Sequence, residues 1–411
     1  MYIKQLDIEN IRAISNLKIR FEQPAGWHVL IGDNGQGKTS VLRAVVFVVF
    51  NAGKLANTFR FDWANWAKKD KIQASIRLEI ETNTENKVSC WAIIDNTKHT
   101  LGTMTSNPYF NSRREKKENN LDFFSMSFGA SRRFFGKSDE IHEVKKVGLD
   151  GDDLAAHYPL FNDDVVFDSP INKLHLLHTK RLEDDANSKF ILENLILFLT
   201  HTNLLPSGGK FKKINSDGIF FTNEEGITVA LQDMSSGYVS VLCIVLTILM
   251  RMVETNTPQE VFANFEDNDY TIPIKGFILI DEIDAHLHPE WQTRIGEWFT
   301  QYFPNIQFIV TTHNPLICRA CNKGSIWQLK DGAAYQITGV AKERLVKGNI
   351  LDAYGTELFG KNTVRSEVSN ALLSRLGRLN IQYALGKITA EEEQERSQLK
   401  TIFQTDAPTG L

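Results

Sequence analysis

Cysteine is scarce in this chain: four residues in 411, at Cys90, Cys243, Cys318 and Cys321. Three of them sit in apolar surroundings, which argues against a disulfide framework and suits a reducing compartment. A surplus of either charge is missing too, with 46 Lys and Arg against 50 Asp and Glu and a formal net charge of -4. Bulk charge gives no sign of nucleic-acid binding, although a local basic groove can sit on an acidic protein. Met1 to Ile8 contain no basic stretch followed by an apolar one, so no secretion signal is expected. The most apolar runs, Val41–Phe50 and Val239–Met250, fall short of the roughly 20 residues that a bilayer requires. The expectation is a cytoplasmic protein with no membrane association. Internal repeats, coiled-coil heptads and low-complexity tracts are also missing. What remains is ordinary globular composition, 42% hydrophobic and 23% charged, with ample material for a core.

Alternation opens the chain. Ile3, Leu6 and Ile8, then Leu17, Ile19 and Phe21, read as two strands of a small antiparallel unit running into a buried strand at Trp27–Ile31. A glycine-rich turn and a long apolar helix from about Thr39 to Val49 follow. Ala74–Glu81 and Lys87–Ile94 form a strand pair. Polar runs at Asn111–Asn120 and Gly136–Lys146 mark an insertion with mobile loops. Helical periodicity returns through Leu174, Leu177, Leu182, Phe190, Leu195 and Leu199, and short strands through Ile214–Leu231. Val239–Val253 is a buried helix; Gly276–Ile280 and Gln307–Val310 read as parallel-sheet strands covered on both faces. Ile350 to about Phe403 is helical and amphipathic.

Four motifs carry chemistry. Gly32-Asp-Asn34-Gly35-Gln-Gly37-Lys38-Thr39-Ser40 matches G-x-x-x-x-G-K-[ST] between a strand and a helix, the context a phosphate-binding P-loop needs. Its glycines let backbone N–H groups face phosphate oxygens, and the helix N-terminus adds a favourable dipole. Lys38 is placed for the β- and γ-phosphates of ATP, and Thr39 for Mg²⁺. Phe277-Ile-Leu-Ile-Asp281-Glu282 is an apolar strand ending in two carboxylates, the Walker B pattern. Asp281 is expected to be the second Mg²⁺ residue and Glu282 the general base for water. Alone such an end is a solvated turn; downstream of a P-loop it points to hydrolysis. Met234-Ser235-Ser236-Gly237-Tyr238 precedes the long apolar helix, and Thr311-Thr312-His313 ends the last apolar strand.

The Ser-Ser-Gly run resembles the ABC signature of SMC-, RecF- and Rad50-like ATPases, and the terminal histidine resembles their switch histidine. The resemblance implies that Ser235 and Gly237 close on the γ-phosphate held by a second subunit, and that His313 contacts the same phosphate. The opening Ile3-x-x-Leu6-x-Ile8-Glu-Asn10-Ile-Arg12 is similar to those heads as well. Asp284-Ala-His286-Leu287-His288-Pro289 lies where a D-loop is expected to cross the dimer interface. Its Leu-His-Pro form resembles ATPases of the overcoming-lysogenisation-defect group and their stand-alone relatives. So do Phe124–Arg132, Tyr158–Phe161 and Leu351–Gly360. No glutamine occurs between Asn51 and Lys71, so the Q-loop stays open between Asp62 and Asn65. No ligand set completes a metal site at His286 and His288. Cys318-x-x-Cys321 lacks the other two ligands of a zinc site and reads as a core pair. Arg113, Arg114, Lys116, Lys117, Arg132 and Arg133, with Phe110, Phe123, Phe124 and Phe134 nearby, suit DNA or RNA phosphates and suit packing of an insertion equally.

The expected fold is therefore α/β: an ABC-type P-loop ATPase head with an N-terminal antiparallel β unit, a mostly parallel core sheet, a helical lobe insertion and C-terminal helices. Roughly 195 residues between Thr39 and Ser235 leave no room for a long coiled coil. The expected divisions are 1–100, the P-loop part of the ATPase lobe; 101–235, the helical insertion ending at the signature; 236–345, the core with Walker B and switch histidine; and 346–411, the helical tail. The resemblance implies ATP and Mg²⁺ as cofactors and a homodimer or higher oligomer built on an ATP sandwich. It further implies a sensor or regulator subunit in a bacterial anti-phage system, of the Septu, retron-associated or PARIS sort. A nuclease domain of the lysogenisation-defect type is not found after His313, so the effector is expected to be a separate nuclease or toxin. The alternative is a RecF-like repair ATPase that binds DNA gaps or ends.

Overall fold

The computed structural model describes all residues except 51–54, 56–58, 60–61, 64, 82–86, 98–99, 106–122, 132–152, 163–169, 205–208, 216–217, 223–225, 235, 286, 349–366 and 404–411. Two compact units result, Met1–Gly348 and Asn349–Leu411.

In the first unit, β1 (Tyr2–Ile11) pairs antiparallel with β2 (Ile14–Arg20) and with β4 (Gln73–Glu81). With β5 (Lys87–Asp95) and β6 (Thr100–Thr105) they form a five-stranded sheet in the order β2-β1-β4-β5-β6. Period-two burial in β4 and β5 puts Ile76, Leu78, Ile80, Val88, Cys90 and Ala92 on the inner face. The second sheet has the order β14-β13-β3-β12-β11-β7. Its strands are β3 (Gly26–Ile31), β7 (Phe124–Phe128), β11 (Gly276–Ile280), β12 (Ile306–Thr312), β13 (Gly324–Lys330) and β14 (Ala333–Ile337). All pairings here are parallel except β13 with β14. Both faces of β3, β11 and β12 are buried, as their unbroken apolar runs require.

Between the sheets lies α1 (Lys38–Val49). Val41, Leu42, Val45, Val46 and Val49 share one apolar cluster with the inner faces of β1, β4 and β5 and with Phe277 and Leu279 of β11. A smaller antiparallel sheet, β8 (Lys210–Asn215), β9 (Gly218–Thr222) and β10 (Thr228–Ala230), matches the short strands expected between Ile214 and Leu231. Two lobe helices precede it, α2 (Pro170–Leu182) and α3 (Ala186–His201), the second capped by Asp185 through Asn187 N and Ser188 N. The carbonyl just past α3, on Thr202, accepts from Trp298 Nε1 at 2.7 Å, tying the lobe to α5 (Pro289–Tyr302).

Two features depart from the sequence reading. β7 falls in the segment expected to be insertion, yet it is the edge strand of the core sheet beside β11. Its five residues were legible as a strand, but partnership with a strand 150 residues later leaves no local trace. The signature helix α4 spans Ser236–Thr255, and its stretch Gly237–Thr255 is long and apolar enough to cross a membrane. The expectation that this run is too short is therefore corrected. Its 67% burial inside the protein marks it as a core helix, with Val241–Val245, Ile248 and Leu249 enclosed.

After β14 comes α6 (Gly339–Lys347). In the second unit α7 (Glu367–Ala384) and α8 (Ala390–Ile402) form a hairpin around Leu376, Leu379 and Leu399. Thr389 and Glu392 cap α8 reciprocally, and Arg375 grips Glu395 through two hydrogen bonds of 3.2 and 2.9 Å.

Candidate active site

Parallel register brings three loops to one edge of the core sheet. Ile31 at the end of β3 lies opposite Thr312, and Ile280 at the end of β11 lies opposite Val310. The segments that follow, from Gly32, Asp281 and His313, therefore leave the sheet side by side, where ligands bind in open parallel sheets. Gly37 caps α1 at φ 91°, and Gly35 turns at φ 81° with nothing within 4 Å of where a Cβ would stand. These left-handed residues turn the loop over the first turn of α1 without side chains in its mouth. Asn34 and Gly35 are exposed, while Ser40 is buried in that first turn.

Lys38, only 7% exposed, points back into the loop. Its Nζ donates to Gly32 O at 2.7 Å, to Asp33 O at 3.1 Å and to His313 Nε2 at 2.8 Å. An ammonium has no lone pair, so Nε2 of His313 is the acceptor and its ring proton sits on Nδ1. Burial lowers the Lys38 pKa, opposed by Asp281, Glu282, Asp33 and Asp284. Burial, then the Lys38 ammonium, lowers the His313 pKa, so the imidazole is neutral near pH 7. A neutral histidine that accepts from a buried ammonium is sensitive to the charge placed between them.

On the opposite side, Thr39 Oγ1 donates to Asp281 Oδ2 at 2.7 Å, and Thr311 Oγ1 donates to Asp281 Oδ1 at 2.5 Å. The hydroxyl and carboxylate that a hard divalent cation shares in this kind of site are thus adjacent, and the oxygen donor set fits Mg²⁺. Asp281 N is held by Phe128 O of β7 at 2.9 Å. Glu282 stands at φ 46°, a left-handed conformation that L-residues seldom adopt. Its amide donates to Thr311 Oγ1 at 2.7 Å, and Ile283 N donates to Thr311 O at 3.0 Å. Thr311 is therefore the clamp that holds the strained turn.

Of the other residues singled out in the sequence, Gly237 is buried in the first turn of α4, while Ser235 and His286 lie outside the described residues. So do the basic residues 113–117 and 132–133 and the segment 351–360. Asp62 and Asn65 bond to each other at 2.6 Å, with no hydrogen bond from either to the P-loop among the described residues. Cys318 and Cys321 are buried free thiols with pKa values raised by burial, which makes them inert core residues.

A strap joins the motifs, and only its end, Tyr158–Phe161, stood out in the sequence. Residues Leu154–Phe161, around the 3₁₀ turn Ala155–Leu160, run beside β7 and α1. His157 is fully buried, its Nε2 3.1 Å from Ser125 Oγ and its Nδ1 3.1 Å from Ser127 Oγ, both on β7. Burial, then Arg251, lowers its pKa to about 3. Arg43 of α1 donates to Leu160 O at 2.8 Å, and Asp153 pairs with Arg251 of α4 at 3.1 Å. The P-loop helix, the strand beside Walker B and the signature helix all meet this strap. The run from Leu154 to Phe161 is short and mostly apolar, with no period that says which strand it would cover.

A P-loop, a carboxylate-ended strand and a histidine-ended strand between them define an ABC-type P-loop nucleotide-binding fold. Comparison with known proteins gives the family. The chain belongs to the family described as "AAA domain, putative AbiEii toxin, Type IV TA system", which matches residues 67–319. The description "Protein of unknown function (DUF2813)" matches residues 1–89, which include the P-loop. A "Septu protein PtuA" of Bacillus mycoides is 24% identical over 407 residues, 98% of this chain and 50% of that protein. A "Retron Ec83 probable ATPase" of Escherichia coli is 31% identical over 189 residues, 41% of this chain and 33% of that protein. The chain thus spans half or less of the length of these relatives. An SMC head bound to the C-winged helix domain of ScpA aligns over 82% of this chain and 97% of its own, with TM-score 0.48 and 14% identity.

Proposed function

We propose that this chain is an ATP-hydrolysing sensor or regulator subunit of a bacterial anti-phage system, working in the cytoplasm on a separate effector, a nuclease or toxin. The observation that carries the hydrolytic half is the convergence of Lys38, Thr39, Asp281, Glu282 and His313 on one sheet edge. Similarity along 98% of the chain to a Septu protein, and to a retron ATPase, supports the defence half. In this reading Gly32, Asn34, Gly35, Gly37 and Ser40 frame the triphosphate, and Lys38 binds its β- and γ-phosphates. Thr39 and Asp281 hold Mg²⁺, which when bound neutralises phosphate charge. Glu282 orients and deprotonates water, and His313 donates Nδ1–H or accepts at Nε2 as Lys38 shifts toward the phosphate. Ser235 and Gly237 of a second copy complete the site across a homodimer. Nucleotide then acts as a switch because it favours the paired state over the open one.

Two assays test the two halves. Glu282→Gln is expected to lower kcat by about 10²–10⁴ while ATP binding persists. Unchanged turnover would remove Glu282 from the mechanism. Cells carrying the intact system should lose protection against phage on Lys38→Ala substitution and show no new sensitivity to DNA damage when uninfected. Damage sensitivity without a change in phage resistance would transfer the chain to the repair reading.

A further inference from the structure

Gln292 and Asn314 belong to none of the motifs above, yet they close a ring of hydrogen bonds around them. Gln292 lies in the first turn of α5, and its Nε2 donates to Leu287 O at 3.0 Å and reaches Asp284 O at 3.4 Å. Its Oε1 accepts from Asn314 Nδ2 at 2.7 Å. Asn314 Oδ1 caps the 3₁₀ turn Pro315–Ala320 through Leu316 N at 2.9 Å, and Asn314 N donates to Thr312 Oγ1 at 2.8 Å. Thr312 Oγ1 in turn donates to Asp284 Oδ1 at 2.5 Å, which returns the ring to its start. Each amide uses both of its ends. A carboxylate at 292 would set oxygens against two carbonyls, and one at 314 would set oxygen against Gln292 Oε1.

The ring joins two loops. One runs from Asp284 to His288 after Walker B; the other carries His313, which lies between Thr312 and Asn314 in the chain and bonds Lys38. The first loop also meets the signature helix, since the rings of Tyr238 and His288 lie 6.1 Å apart. We infer that Gln292 and Asn314 are positioning residues that lock the loop after Walker B to the switch histidine. A displacement at the signature helix then reaches His313 and Lys38 as one rigid movement. The inference rests on the hydrolytic reading of the site and adds to it a route between the signature helix and the phosphate lysine.

The test uses Gln292→Glu, Asn314→Ala and the double variant in the full chain. Steady-state ATP turnover is measured alongside binding of a fluorescent ATP analogue and thermal unfolding. Gln292→Glu is expected to lower kcat about tenfold or more with nucleotide affinity within about twofold. The double variant should lose no more than the worse single one, because both break one ring. Wild-type kcat in a folded Gln292→Glu protein, or losses that multiply in the double variant, would overturn the inference. A wild type that binds ATP without turning it over would fail the hydrolytic reading instead. The ring is then judged on the His313 imidazole resonance, assigned with His313→Gln. A shift of that resonance in Gln292→Glu supports the lock, and an unmoved resonance rejects it.

Discussion

Glu282 presents its carboxylate from a left-handed backbone that costs about 1 kcal/mol or more, and its amide is held by the Thr311 hydroxyl. Thr311→Val keeps the shape but leaves the Glu282 amide without its hydroxyl acceptor. The expected cost is about 1–3 kcal/mol in denaturant unfolding, with a parallel fall in kcat. The two buried imidazoles bear on pH. His157 and His28 have folded pKa values lowered to about 3 and about 4, mainly by burial, against 6.5 for an unperturbed histidine. Below 6.5 the unfolded chain binds protons that the folded chain refuses, so stability is full above that pH and declines as pH falls toward 4. Each imidazole contributes a slope of about 1.4 kcal/mol per pH unit in that window. Unfolding midpoints measured from pH 7 to 4.5 should show it, and His157→Gln should remove one share. That Lys38, Thr39, Asp281, Glu282 and His313 come together was legible because each stands in a short local motif at the end of an apolar strand. Thr311, Gln292 and Asn314 were not, because their partners are chosen only once the strands are in register.

At the level of elements, the alternating and the unbroken apolar runs gave every strand from β1 to β5 and the main helices. β13 and β14 escaped, since Gly324–Lys330 mixes polar and apolar residues at the flank of the sheet. The strap escaped for a different reason: its fit to β7 is made of close approach rather than pattern. A Cβ on Gly129 would stand 2.3 Å from Pro159 O, so only glycine lets the strap lie down. Gly129→Ala is accordingly expected to destabilise by about 1–3 kcal/mol. It should also reduce turnover, because Phe128 O positions the Asp281 amide. Circular dichroism melts and an ATPase assay on the same preparation would check both. Normal values in both would show that the strap is a passive covering.

For the whole molecule, the proposed sharing of the site between two copies makes a prediction that a one-chain site does not. Lys38→Ala spoils the P-loop and Ser235→Arg spoils the signature. Each homodimer is then inactive, while a mixed dimer retains one good pair of halves. Equimolar mixing should restore about a quarter of wild-type turnover, from half of the dimers with one working site each. No recovery, with exchange of subunits shown by mass photometry of a tagged copy, would place all the chemistry in one chain. The order of strands has a consequence of another kind. β7, at residues 124–128, pairs with β11, at residues 276–280. A ribosome adding about 5–20 residues per second needs roughly 8–30 s to make that stretch. Until then β7, the strand on which the strap settles, has no partner in the sheet, and the apolar α4 emerges before the sheet is complete. The nascent chain is therefore a natural client for holding chaperones until β11 leaves the exit tunnel, and a truncation just before residue 276 should be captured by them while one after residue 312 should not.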